Sequence, residues 1–166
     1  MRFLLISALI LVVFSCKKKS EAVDPIKPED RAKAIAFMEY LQNKKLSLEK
    51  YYSEVPIDYI DTDQVVKSET QLWPYVSAWI PDDTYTFLAN NEVDIAQDSI
   101  RIEGNTNAIL KLRYTVTPDI DGVAFNFVGH DYLYLKYRLK SFSPDSIVVN
   151  AKWNGSKVYS VFKVLH

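Results

Sequence analysis

From Asn107 to Pro118 the chain reads NAILKLRYTVTP, with an apolar residue at every second position. Ala108, Leu110, Leu112, Tyr114 and Val116 fall on one side, and Lys111, Arg113, Thr115 and Thr117 on the other. A period of two belongs to a β-strand with one buried and one wet face; on a helix the same residues would scatter around the axis. The pattern recurs along the second half of the chain. DTYTFLA sets Tyr85 and Phe87 against Thr84 and Thr86, and EVDIA follows. DSIRIEG places Ile100 and Ile102 together, and VAFNFVG places Val123, Phe125 and Phe127 together. DYLYLKYRLKSF groups Leu133, Leu135, Tyr137 and Leu139, and DSIVVNAKW and KVYSVFKVL complete the series. PDIDG reads as a turn, and Asn154-Gly155 in WNGS reads as a tight hairpin. The 11 tyrosines and 8 phenylalanines fit the same bias, because aromatic side chains favour pleated, half-buried surfaces. These are about eight or nine strands with short connections and no strand–helix–strand rhythm. The expected fold is therefore mainly β: an antiparallel up-and-down barrel of about eight strands, closed to remove its exposed edges.

One helix is expected before the strands. PEDRAKAIAFMEYLQNKK begins with Pro28 and the acidic Glu29 and Asp30, and Lys44 and Lys45 lie near its end, as the helix dipole favours. Ala34, Met38 and Leu41 share a stripe, with Ile35 and Phe37 beside it. Beyond Leu46 the period moves toward two: Tyr51, Val55, Ile57 and Tyr59 alternate with polar positions around Pro56. A first strand and a short helix over SLEKYYSEV are both open there. DTDQVVKSETQLWPYVSAW reads as a long connection carrying Trp73 and Trp79.

The first 15 residues read as a secretory signal peptide. Arg2 precedes an apolar run from Phe3 to Phe14, broken only by Ser7. That run is shorter than the roughly 20 residues of a membrane-spanning helix. VFSC then resembles the cleavage and lipidation motif of bacterial lipoproteins, which implies that Cys16, the sole cysteine, is the acylated first residue of the mature chain. Several acyl chains are needed for stable anchoring. Lys17, Lys18 and Lys19 would each add about 1 kcal/mol against anionic headgroups. Residues 16–28 form a tether and residues 29–166 a single domain. SCKKKSE is similar to the start of many Bacteroidota lipoproteins, which implies a cell-envelope protein anchored at the outer membrane. Ser20 stands between the lysines and Glu21, so the periplasmic and surface faces are both open.

AWIPDDTYTFLANNEVDI resembles a pattern of bacterial lipocalin-like proteins of the calycin type, in which an acidic pair precedes an aromatic strand, a polar turn and the next strand. YLYLKYRLKSFSPDSIVVNAKWNGSKVYSVFKVL is similar to the closing strands of those families. The resemblance covers roughly Leu46 to Leu165 and implies a lipocalin-like barrel. The region comparable to the family's opening Gly-x-Trp element reads LSLEKYYSEV here.

Catalytic chemistry has little footing in the sequence. His166 is terminal, and His130 stands beside Asp131 with no nucleophile motif. Asp58, Asp61 and Asp63, and the pair Asp119 and Asp121, lack the spacing, central glycine and distant glutamate of a calcium loop. Asp119 and Asp121 are expected to support the turn through their side chains, and Asp82 and Asp83 to cap one. No cofactor and no metal site is expected. The formal charge of −1, with both signs mixed along the chain, gives no basic face for nucleic acid. Small barrels are either packed solid or hold one small ligand. Trp73, Trp79, Tyr85, Phe87, Tyr114, Phe125, Phe127 and Tyr137 are the candidate lining of such a pocket. The expected function is non-catalytic binding of a small apolar or amphipathic molecule by a membrane-anchored lipoprotein. The alternative is an interaction module for another envelope protein.

Overall fold

The structure, a computed structural model, describes residues 24–60, 64–72, 82–97, 108–128, 136–153 and 155–166. Helix α1 spans Pro28–Leu41. Among the described residues nine strands follow: β1 Lys45–Ile60, β2 Val66–Gln71, β3 Thr84–Phe87, β4 Glu92–Ala96, β5 Ile109–Asp119, β6 Gly122–Val128, β7 Tyr137–Phe142, β8 Ser146–Trp153 and β9 Ser156–Leu165. From β3 to β9 each strand pairs antiparallel with the next, and β1 pairs with both β3 and β9. That double pairing closes an eight-stranded, up-and-down antiparallel barrel of lipocalin-like architecture, as the alternating pattern predicts. β2 lies outside the ring, paired with the far half of β1.

β1 serves both parts because its course is broken twice. Its pairing with β9 shifts between Leu48 and Lys50, and its pairing with β2 shifts between Tyr52 and Ile57. A bulge of this kind adds a residue and exchanges the faces of everything beyond it. Leu46 and Leu48 point into the barrel before the first shift; Tyr51 and Ser53 share the inner side with Ser160 and Val158 after it. Pro56, which has no N–H to donate, falls inside the second irregular stretch, where no ladder bond is lost. The region SLEKYYSEV is thus strand and not helix, and part of the expected long connection is β2.

The helix is shorter than expected. It ends at Leu41, Lys45 already belongs to β1, and no basic residue occupies its last turn. Its buried stripe is Ala34, Phe37 and Leu41, with Met38 only partly buried and Ile35 exposed. The barrel end decides this: Phe37 meets Phe125 edge-on at 5.7 Å between centroids and Phe142 at 5.3 Å. Lys33 Nζ donates to the Lys140 carbonyl (3.1 Å) and the Tyr40 hydroxyl to that of Ser143 (2.6 Å). The β5–β6 turn reaches the same end, where Gly122 (φ +109°) lies 4.0 Å from Asp30 through an ideal Cβ position. The helix therefore plugs the end carrying the β3–β4, β5–β6 and β7–β8 turns. The β8–β9 hairpin, turning at Gly155 (φ +81°), lies at the other end. The strand expected over DSIRIEG and the start of DYLYLKYRLKSF lie outside the described residues.

A second, smaller core of Ile57, Leu72 and Val158, with Tyr51 and Trp153 against it, fastens the β1–β2 hairpin to the barrel. Among the described residues no helix is long and apolar enough to cross a membrane.

Candidate functional site: the barrel interior

The inner face changes character along its length. Toward the helix it is aromatic and dry. Phe87 contacts Tyr114 at 5.0 Å, Phe125 at 6.0 Å and Phe127 at 6.2 Å, and Phe125 contacts Phe127 at 5.1 Å. Phe87, Tyr114 and Phe125 are each 2% exposed or less. Rings at these separations fill their volume, so this half is a packed core. Of the candidate lining residues, Phe87, Tyr114 and Phe125 are plug-end core and not pocket wall. Tyr85, Phe127 and Tyr137 continue the same aromatic chain away from the helix: Tyr85 lies 5.9 Å from Phe127, and Phe127 lies 6.4 Å from Tyr137. Trp73 and Trp79 lie outside the described residues, as do Cys16, His130, Asp131, Asp61 and Asp63. Asp58 is exposed on β1.

Toward the end away from the helix the inner face turns polar. Ser53, Asp83, Gln97 and Ser160 are buried, each with less than 5% of its surface exposed. Strand parity puts them inside. Asp83 precedes Tyr85 and Phe87, Gln97 follows Val93 and Ile95, and Ser160 lies between Val158 and Phe162 on β9. The Ser53 hydroxyl donates to the Val55 carbonyl at 2.6 Å, and the Gln97 backbone N–H to the Ala108 carbonyl at 2.9 Å. Asp83, expected to cap a turn with Asp82, is buried at the residue before β3, on the side of Tyr85 and Phe87.

Electrostatics tie these groups into one site. Burial raises the Tyr85 phenol well above its usual range, and the nearby Asp83 carboxylate and Tyr137 raise it further. Tyr137 is raised by burial first and then by Tyr51, and Tyr51 itself by burial. The three phenols, from β1, β3 and β7, are coupled to one another in sequence, Tyr51 to Tyr137 and Tyr137 to Tyr85, with Asp83 beside Tyr85, and as neutral groups can donate and accept hydrogen bonds. The sequence held a signal for part of this set, since a polar residue on an otherwise apolar parity marks Asp83, Gln97 and Ser160. Tyr51 and Ser53 carried none, because the bulge after Leu48 hides their face.

Asp119, expected to support the β5–β6 turn, does so: its Oδ1 accepts from the Ile120 N–H at 2.7 Å. It also pairs with Arg138 (2.7 Å) and Lys136 (3.2 Å) across the sheet. Among the described residues no three His, Cys, Asp or Glu side chains converge as a metal site would require. Comparisons with protein-family models, curated proteins and solved structures give no match. Fold and interior alone define the class: a small closed antiparallel barrel, plugged by a helix at one end, with a polar layer inside the other.

Proposed function

We propose that this chain is an outer-membrane-anchored lipoprotein of the bacterial cell envelope, attached through Cys16. Its barrel binds one small apolar or amphipathic molecule non-covalently, without catalysis. The observation that carries the reading is the polar layer of Tyr51, Ser53, Asp83, Gln97 and Ser160 above an aromatic floor. An acid, an amide and two hydroxyls within an otherwise apolar barrel give a ligand a few placed polar groups beside apolar surface, as small-molecule sites do. Because the helix end is packed, the ligand would occupy the half away from the helix, its apolar part against Phe127 and Tyr85 and its polar part among the phenols.

The test is native mass spectrometry of the protein purified from its membrane, with fluorescence of the neutral probe N-phenyl-1-naphthylamine as a second reading. Ser160→Trp places an indole among Tyr51, Val149 and Val158 and is expected to abolish both retained ligand and probe binding. Equal retention by Ser160→Trp and wild type would sink the idea.

A second reading has its own observation. The β1–β2 hairpin carries Val55, Ile60, Val65 and Val66 with 52–67% of each exposed, and β2 pairs with one strand only among the described residues. Apolar side chains along a strand edge suit docking by another envelope protein. Pull-down from detergent-solubilised membranes with wild type and Ile60→Lys/Val66→Lys tests it; equal recovery of partners dismisses the hairpin.

A further inference from the structure

A cavity of about 680 Å³ opens on the side of the barrel where Lys136, Arg138, Asn150, Lys152, Lys157 and Asp121 meet. Among the described residues the β7–β8 ladder reaches Arg138 and Asn150, and β8 and β9 pair as far as Trp153 and Ser156. Cationic side chains from β7, β8 and β9 line the cavity. Lys152 and Lys157 are register partners, directly opposite on neighbouring strands, and both are exposed. Like charges so placed repel, and among the described residues neither has a carboxylate within ion-pair distance. Arg138 binds Asp119 through Nη2, but its Nη1 is enclosed with no hydrogen-bond partner. Leaving a guanidinium nitrogen so is costly. Four cations face two carboxylates, Asp119 and Asp121, which leaves two positive charges.

We infer that this lateral cleft is a binding site for a phosphate monoester. The dianion matches the surplus charge, would relieve the Lys152–Lys157 repulsion, and offers acceptors to Arg138 and the Asn150 amide. The site is separate from the interior proposed above, and either can fail without the other. The phosphate can belong to a soluble metabolite or to a lipid headgroup, and the experiment separates them.

Isothermal titration calorimetry of the purified protein would use inorganic phosphate, short-chain phosphatidic acid below its micelle concentration, and short-chain phosphatidylcholine as the neutral control. Binding of inorganic phosphate at least as tight as that of phosphatidic acid identifies a soluble ligand; tighter binding of phosphatidic acid identifies a headgroup. In either case Lys152→Gln/Lys157→Gln weakens binding about tenfold or more, the scale of lost charge-assisted hydrogen bonds. Lys111→Gln/Lys163→Gln removes the same charge elsewhere on the outer face and leaves binding within about twofold. The urea midpoint of Lys152→Gln/Lys157→Gln, unchanged or raised, shows that it folds. The inference is overturned if neither phosphate binds wild type, or if the two double variants weaken binding equally.

Discussion

Replacing Phe37 with alanine tests whether the helix is part of the barrel or only its lead-in. Phe37 is fully buried and its ring touches Phe125 edge-on and Phe142. Removing a buried phenylalanine side chain costs about 3–5 kcal/mol, combining lost transfer energy with the cavity left behind. The edge-on pair accounts for about 1 kcal/mol of that. Against a typical domain stability of about 5–15 kcal/mol this is a large fraction, and it lowers the melting temperature by on the order of 10 °C. Urea denaturation followed by circular dichroism reads the change as a shifted midpoint at constant slope. Ile35→Ala, two residues away and 55% exposed, is the control and changes stability by under about 0.5 kcal/mol. A double-mutant cycle with Phe125→Ala isolates a coupling of about 1 kcal/mol. If Phe37→Ala costs less than about 1 kcal/mol, the helix is a loosely held appendage and the plugged-end description is wrong.

Further outcomes follow from individual groups. Asp119 is held at about 2, below its ordinary 3.8, chiefly by its hydrogen bond from Arg138, then by the Ile120 N–H and Lys136. Because the folded value is the lower one, its stabilisation is present above the unfolded value and is lost as pH falls from about 4 toward 2. Asp119→Asn flattens that part of the acid stability profile, and carbon-detected NMR titration of the carboxyl reads the value directly. Tyr159 is raised to about 12, first by its hydrogen bond to Glu54 (2.5 Å) and then by burial. Its contribution is present below the unfolded value near 10 and is lost as pH rises toward 12; Glu54→Gln lowers the midpoint in an ultraviolet tyrosinate titration. Gly122→Ala destabilises by about 1–2 kcal/mol in chemical denaturation, although the added methyl has room, because φ +109° is strained for a residue with a Cβ. Cys16→Ser abolishes metabolic labelling with radioactive palmitate and releases the protein from the membrane fraction.

Most strands from β3 to β9 were legible in the sequence because they keep one parity; β7 does not, since a shift between Leu139 and Ser141 brings both Leu139 and Phe142 against the core. The inner faces of β5 and β6 are those the alternation predicts: Leu110, Leu112, Tyr114 and Val116, then Val123, Phe125 and Phe127. Alternation fails where the backbone departs from it. The shift between Leu48 and Lys50 exchanges the faces of β1, so one uninterrupted strand presents two contradictory patterns and resembles a helix or a broken strand. Pro56 reinforced that impression, although it sits in a stretch that needs no N–H. Phe37 was misplaced for another reason: the helix stripe alone allows Met38 or Phe37 inside, and the aromatic barrel end selects the ring. The pairing of Asp119 with Arg138 depends on strands 19 positions apart being brought together across β6, which no local pattern records. The candidate aromatics were recognised as inward-facing, but which of them pack solid depended on the position of the plug.

The seam between β1 and β9 has a temporal consequence. Lys45 pairs with Leu165, 120 positions later, and the β1–β9 ladder runs through to Ser53 and Val158. Every other ring contact except β1–β3 joins neighbours in the chain and can form as they are made. The seam must wait until β9 has been made, and closing a loop of that span is among the slower steps a chain of this size can take. Until then β1 and β8 each present an unpaired edge, and the aromatic interior is open. On the export route proposed above, that delay would keep the barrel from locking until β9 had crossed the membrane.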